Sequence, residues 1–394
     1  MTAYLDHAAT TPMRPEAVDA MLPFLADRFG NPAGSHAVAR EARKALDEAR
    51  EVVAESLGAR PGEVVFTGGG TEADNLAIVG RHTARPGPAV CTAVEHHAVL
   101  HACRALPEAR VVPVRPDGVV DLDRLAELLD PTVTIVSVML ANNEVGTIEP
   151  LAEVAQVVRD AAPDAVLHTD AVQAFSWVDV AGLASVADLV AVSAHKFGGP
   201  KGVGALVVRD GVDIEPIIHG GGQERDRRSG THNVAGIVAM AAAMQETVAA
   251  RSATVERVAR LRDRLADGLL AAVPDTAETG DRAHKIAGNC HLSFGGVESE
   301  ALLVLLDGAG VCASAGSACT SGAVEPSHVL TAMGVPAERA AGSLRLSLGA
   351  TTTDADVDLA LEAVPAAVAR LRSSGGTCCF TGSVESSRHS QASG

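Results

Sequence analysis

The chain delivers one lysine, Lys196, from the end of an apolar run, Asp188-Leu189-Val190-Ala191-Val192, into a turn of small residues, Ser193-Ala194-His195-Lys196-Phe197-Gly198-Gly199-Pro200-Lys201-Gly202. The run reads as a buried strand and the Gly-Pro segment as its end. Burial depresses the pKa of an amine, and a desolvated lysine at a strand end is suited to Schiff-base chemistry on a carbonyl compound. An exposed turn lysine fits the same stretch, which leaves the two readings open. A second candidate lies at Gly68-Gly69-Gly70-Thr71-Glu72, after the strand-like Glu63-Val64-Val65-Phe66-Thr67 and before a helix through Asp74, Leu76, Ile78 and Val79. Strand, glycine-rich turn and helix start make an anion cradle, with Thr71 adding a hydroxyl. The turn has neither the Walker nor the full dinucleotide pattern, so it speaks for phosphate more than for nucleotide; a plain helix cap with Glu72 in the first turn also fits. Cys319 lies in Gly310-Val311-Cys312-Ala313-Ser314-Ala315-Gly316-Ser317-Ala318-Cys319-Thr320-Ser321-Gly322, where nothing bulky buries it. An exposed thiolate is a nucleophile, whereas Cys91 and Cys290, in apolar runs, read as core. Arg345 alternates with leucines and offers a fork for a carboxylate, or is a surface strand residue.

These groups need a frame. Residues 89–94 lead into Glu95-His96-His97, residues 134–140 into Asn142-Asn143-Glu144, and residues 165–169 into Asp170-Ala171-Val172-Gln173. The alternation of strand and helix signals predicts an α/β domain with a mostly parallel sheet, whose ligand lies beyond the carboxyl ends of the strands. Thr71, His96, Asn143, Asp170, Gln173, Ser193, His195 and Lys196 all fall at such ends. Singly each has an ordinary role as helix start, turn or cap; together they fall on one sheet edge. A helix is expected from Pro15, another over 36–57, and a long one from Val234 that ends the large domain near 255. The stretch 220–231 is a solvated loop or a second phosphate contact through Ser229, Thr231 and an arginine. The division predicted is an N-terminal segment (1–14) packing with the small domain, a large domain (15–255), a small α+β domain (256–372) and a disordered tail (373–394) holding Cys378 and Cys379.

A chain of 394 residues, 47% hydrophobic, has room for a large and a smaller core. The net charge of −17 argues against direct contact with nucleic acid or an anionic membrane. The opening residues carry no leader pattern and no run reaches transmembrane length, which predicts a cytoplasmic protein. Seven cysteines, an odd number, do not form a disulfide framework.

A Schiff-base lysine, an aspartate for a protonated ring nitrogen and a phosphate cradle are what pyridoxal 5'-phosphate requires of a protein. From about residue 3 to 370 the chain resembles the cysteine desulfurases of the NifS/IscS type, fold type I enzymes related to class V aminotransferases. The resemblance is carried by Tyr-Leu-Asp-His-Ala-Ala-Thr-Thr, Thr-Glu-Ala-Asp-Asn, Ala-Asn-Asn-Glu-Val-Gly, His-Lys-Phe-Gly-Gly-Pro-Lys-Gly, Arg-Ser-Gly-Thr and Gly-Ser-Ala-Cys-Thr-Ser. It implies a large α/β domain plus a smaller α+β C-terminal domain. It implies Lys196 as the cofactor lysine, Asp170 at the pyridine nitrogen, Gln173 at the phenolic oxygen and His96 stacked on the ring. Gly70, Thr71, Ser193 and His195 match the phosphate cradle, with Thr231 reaching in from the second subunit of a homodimer. Asn143 and Arg345 match the groups that hold the substrate carboxylate, and Cys319 the nucleophile that becomes a persulfide.

The implied reaction turns L-cysteine into L-alanine and passes the sulfur from Cys319 to acceptor proteins, for iron–sulfur cluster assembly or for tRNA and other thiolation. No resident metal is implied, though Cys319 would be placed to ligate an iron–sulfur cluster in transit. The long form of the cysteine loop resembles the branch that serves several acceptors directly. His97 stands where many relatives carry lysine, and the tail lacks the segment that housekeeping relatives dock on an iron–sulfur scaffold. The alternatives are a selenocysteine lyase or an aminotransferase on the same fold, or a sulfur carrier without catalysis; the presence of Lys196, Asp170 and Cys319 together speaks against the last.

Overall fold

The computed structural model describes residues 2–315 and 327–373. Cys319, Cys378, Cys379 and the expected tail beyond 373 lie outside the described residues. The strands are β1 (Ala3–Tyr4), β2 (Val64–Thr67), β3 (Ala89–Thr92), β4 (Ala109–Val112), β5 (Ile135–Ser137), β6 (Val166–Asp170), β7 (Leu189–Ser193), β8 (Gly204–Val208), β9 (Thr276–Glu278), β10 (Asn289–Phe294), β11 (Val311–Cys312) and β12 (Ser343–Ser347).

Seven of them form the main sheet in the order β2-β8-β7-β6-β5-β3-β4. From β7 to β4 all neighbours are parallel, while β8 runs antiparallel to both β7 and β2. Every residue of β2, β3 and β5 to β8 is buried. Helices cover both faces of the sheet, which is why these strands read as apolar runs instead of alternating ones. The turn carrying Lys196 is therefore the link of an antiparallel pair, β7 to β8, and not a strand-to-helix loop. Gly198 at φ 88° and Gly202 at φ 77° allow the reversal.

A second core surrounds the antiparallel sheet β12-β10-β9, with the helices Ser299–Gly308 and Asp354–Ser373 packed over it. The N-terminal segment belongs to this part of the molecule. β1 pairs in parallel with β11, Leu5 N–H donates to the Cys312 carbonyl at 2.9 Å, and Ser347 N–H donates to the Leu5 carbonyl at 2.7 Å.

One helix, Val234–Ala272, serves both cores: Ile237 to Met244 pack in the first, Val258 to Leu269 in the second. Between them, residues 248–257 contain neither glycine nor proline, so nothing interrupts helix propagation. The expected division at 255 falls inside this element, between its two buried stretches. No helix among the described residues is long and apolar enough to cross a membrane.

Candidate active site

The cradle is built by the start of the helix Gly70–Ala84. Gly69 stands at φ 143°, and a Cβ on Gly70 would lie 2.8 Å from Val172 Cγ2 and 3.4 Å from Ser193 Cβ. A side chain has no room there, and no side chain caps the helix, so its leading N–H groups are left for a ligand. Glu72 does not compete for that place. Its carboxylate accepts the Gly68 N–H at 2.7 Å and the Arg228 guanidinium at 2.8 Å. Ser193, the last residue of β7, is buried beside Gly70, and His195 Nδ1 lies 3.2 Å from Thr10 Oγ1.

Lys196 ends the short 3-10 turn Ala194–Lys196. Its Nζ donates to the Ala8 carbonyl at 2.6 Å and the Ala9 carbonyl at 2.8 Å. Burial, and then the Arg345 cation, lower its pKa to about 8. Of the two readings left open by the sequence, Lys196 is half-buried with its amine held inside, and the exposed turn lysine of this stretch is Lys201. Asp170, at the carboxyl end of β6, is 4% exposed, with one oxygen accepting the Val172 N–H at 2.8 Å. Burial raises its pKa, while His96 and Lys196 work the other way. His96 caps the helix His97–Arg104 by accepting the Ala98 N–H at 3.2 Å; enclosure lowers its pKa and Asp170 opposes that. Gln173 Nε2 donates to the Ala8 carbonyl at 2.7 Å.

Arg345 is no surface strand residue. It is 5% exposed, Nη2 pairs with Asp6 at 2.9 Å, Nη1 donates to the Asn143 carbonyl at 3.0 Å, and Nε has no partner among the described residues. Gly70, Thr71, His96, Asn143, Asp170, Gln173, Ser193, His195, Lys196 and Arg345 all line one cavity of ≈ 400 Å³. Thr231 does not line it and is exposed on its loop; Cys319 lies outside the described residues. Cys91 and Cys290 are fully buried, and Cys91, Cys103, Cys290 and Cys312 are all free thiols.

The cavity also holds groups that side-chain reading passed over. Asp74, Glu144, Ser314 and His328 line it, and the carbonyls of Ala8 and Ala9 take the Lys196 amine. Alanine carbonyls carry no signal in residue type. Asp74 did carry one, as a lone carboxylate on an apolar helical face with Ala73, Ala77 and Ile78.

A large parallel-sheet domain with a lysine and an aspartate at its strand ends is the frame of a pyridoxal phosphate enzyme of fold type I. The family model "Aminotransferase class-V" matches residues 3–360. An IscS-like cysteine desulfurase of Mycobacterium tuberculosis is 50% identical over 384 residues, covering 94% of this chain and 97% of that one. Among solved structures, a NifS-like protein superposes with a TM-score of 0.88 at 35% identity, covering 94% of this chain and all of its own. SspA in complex with cysteine gives 0.77 at 29% identity, covering 89% of this chain and 100% of that one. The chain belongs to the class-V aminotransferase family, among the cysteine desulfurases of the NifS/IscS type.

That family uses pyridoxal phosphate, and the residues present fit it. The glycine cradle admits no side chain, the uncapped helix start suits a phosphate, and Asp170 is a buried carboxyl of the kind a ring cation needs. Lys196 supplies an amine with a lowered pKa in the same cavity.

Proposed function

We propose that this chain binds pyridoxal 5'-phosphate and converts L-cysteine to L-alanine, delivering the sulfur to Cys319 as a persulfide. The observation that carries this reading is the convergence of Lys196, Asp170, the Gly70-Thr71 cradle and Arg345 on one cavity. When bound, the cofactor supplies an electron sink for charge at the substrate α-carbon. The protein does the rest. Lys196, with its amine tuned to about 8, holds the cofactor aldehyde and, once freed, takes and returns the proton at the α-carbon. Asp170, where burial raises the pKa and His96 and Lys196 oppose that rise, would balance the ring cation. With the cofactor bound, His96 would cover the ring, Gln173 would meet its phenolic oxygen, and Ser193 and His195 would join the helix start in holding the phosphate. Asn143 and the Arg345 fork orient the substrate carboxylate. The Cys319 thiolate then attacks the substrate sulfur; the carbon–sulfur bond breaks, a sulfur–sulfur bond forms on Cys319, and reprotonated alanine leaves.

The unit of function in this reading is a homodimer in which Thr231 completes the cradle of the second subunit. Its place outside its own cavity supports that, as does the apolar run of exposed Leu22, Leu25 and Phe29, at 55%, 59% and 73%. The large and small domains divide within the Val234–Ala272 helix, and the protein works in the cytoplasm, passing sulfur to an iron–sulfur scaffold or a tRNA-thiolating protein. The test is to supply L-cysteine to the cofactor-loaded protein and measure alanine and protein-bound persulfide. Wild type is expected to form both, Lys196→Ala neither, and Cys319→Ser no persulfide. Alanine formed at the wild-type rate by Cys319→Ser contradicts Cys319 as the sulfur acceptor, and cysteine consumed without alanine favours an aminotransferase.

A further inference from the structure

We propose that Asp74 is a positioning residue for Asp170: a buried, proton-bearing carboxyl that, backed by His168, keeps Asp170 in its anionic form. The inference rests on the reading of Asp170 as the partner of the cofactor's ring nitrogen. Asp74 lies one turn into the helix Gly70–Ala84 and is 1% exposed. A carboxylate on so apolar a face is costly unless it is paired or neutral. Single ligand-type atoms of Asp74, His96 and Asp170 lie within 4.8 Å of one another. Behind it, Asp74 Oδ1 stands 3.6 Å from His168 Nε2, and neither atom has a hydrogen-bond partner among the described residues. His168 precedes Asp170 by two residues on β6, so both point to the same face of the sheet. His168 Nδ1 meets Ser137 Oγ at 2.8 Å. Ser137, His168, Asp74 and Asp170 thus form a polar column from the core to the cavity.

The groups facing Asp74 are His168 and Asp170 from β6, and Glu95 and His96 from the turn after β3; Lys196, after β7, acts on Asp170. Two buried carboxyls this close do not both ionise. Burial raises the pKa of both carboxyls; at Asp170 His96 and Lys196 oppose it, whereas at Asp74 the neighbouring Asp170 and Glu95 add to it, so the proton belongs on Asp74. A neutral Asp74 is a hydrogen-bond donor, and a donor beside Asp170 stabilises its anion.

The experiment is a pH titration of the visible absorbance of the holoenzyme, read without substrate. In Asp74→Ala the midpoint should move by about one pH unit or more towards that of Asp170→Asn. Asp74→Asn keeps a donor that cannot ionise, and should titrate like the wild type. An unshifted Asp74→Ala, or an Asp74→Asn shifted as far as Asp74→Ala, overturns the proposal. If Asp74→Ala does not fold, Asp74→Asn alone decides: a wild-type midpoint supports the proposal, a shifted one overturns it. An Asp170→Asn holoenzyme that titrates like the wild type instead sinks the underlying reading of Asp170.

Discussion

The Lys196 amine ends on two main-chain carbonyls, with no carboxylate in direct contact. Carbonyls hold an ammonium without adding the negative charge that would raise its pKa, so burial decides the outcome. Below about 8 the amine is protonated and cannot add to an aldehyde; above it the free base prevails. The rate at which apoprotein captures pyridoxal phosphate is therefore expected to rise with pH to a half-point near 8, measured by stopped-flow absorbance. A half-point near the ordinary lysine value would contradict the burial. Lys196, Asp170 and His96 were legible in the sequence because an ionisable side chain at a strand end is unusual, whereas Arg345, in the middle of β12, read equally as a surface strand residue until the resemblance gave it a role. Asp74 carried a fainter signal, a lone carboxylate in a helical apolar pattern that absorbs it. Ala8 and Ala9 act through backbone oxygens, to which residue type is blind.

The loop after β8 shows how a charged run misleads. The stretch 220–231 reads as a solvated loop or a phosphate contact, yet within it Glu224 is buried, its carboxylate bound by Arg50 through two bonds of 2.6 and 2.8 Å. The same carboxylate accepts the Phe66 N–H at 2.9 Å and lies 2.6 Å from His232 Nε2, while Arg50 lies over the Phe66 ring. Glu224, Arg225 and Asp226 all stand at positive φ, 49°, 57° and 64°. Non-glycine residues adopt that region only where surrounding contacts over-determine it. The Glu224 cluster is that determinant, and it fixes the loop that ends at Thr231. Glu224→Ala leaves Arg50 unpaired in the interior and should cost about 3–5 kcal/mol in urea unfolding at pH 7. The pairing lowers the Glu224 pKa from 4.5 to about 2. Its contribution is thus fully present above about 4.5 and is lost as pH falls towards 2, so the gap between wild type and variant should shrink over that window. A gap constant down to pH 2 would mean that the pair is not what the substitution removes. β8 escaped the sequence reading for a related reason: a buried antiparallel strand has the same apolar run as its parallel neighbours.

At the scale of the molecule, two cores share the Val234–Ala272 helix and enclose the cavity between sheet ends and small-domain strand. The sequence conveyed both cores, since each has its own apolar patterning, but not the rigid rod that joins them, because helix continuity depends on the absence of breakers. The proposed dimer belongs to this scale too. Replacing Leu22, Leu25 and Phe29 together by serine is expected to yield monomers in sedimentation at micromolar protein, with cofactor dissociating more readily because Thr231 is withdrawn. Dimers that persist with unchanged cofactor retention would place the subunit contact elsewhere.

The pairing of β1 with β11, and of Leu5 with Ser347, has a consequence in time. Ala8 and Ala9 leave the ribosome first, but the strand that seats them is made last. At about 5–20 residues per second, Lys196 waits on the order of tens of seconds for its carbonyl partners to be held in place. A nascent chain therefore displays the reactive lysine well before it owns a closed pocket, and secure retention of cofactor becomes a property of the finished polypeptide alone.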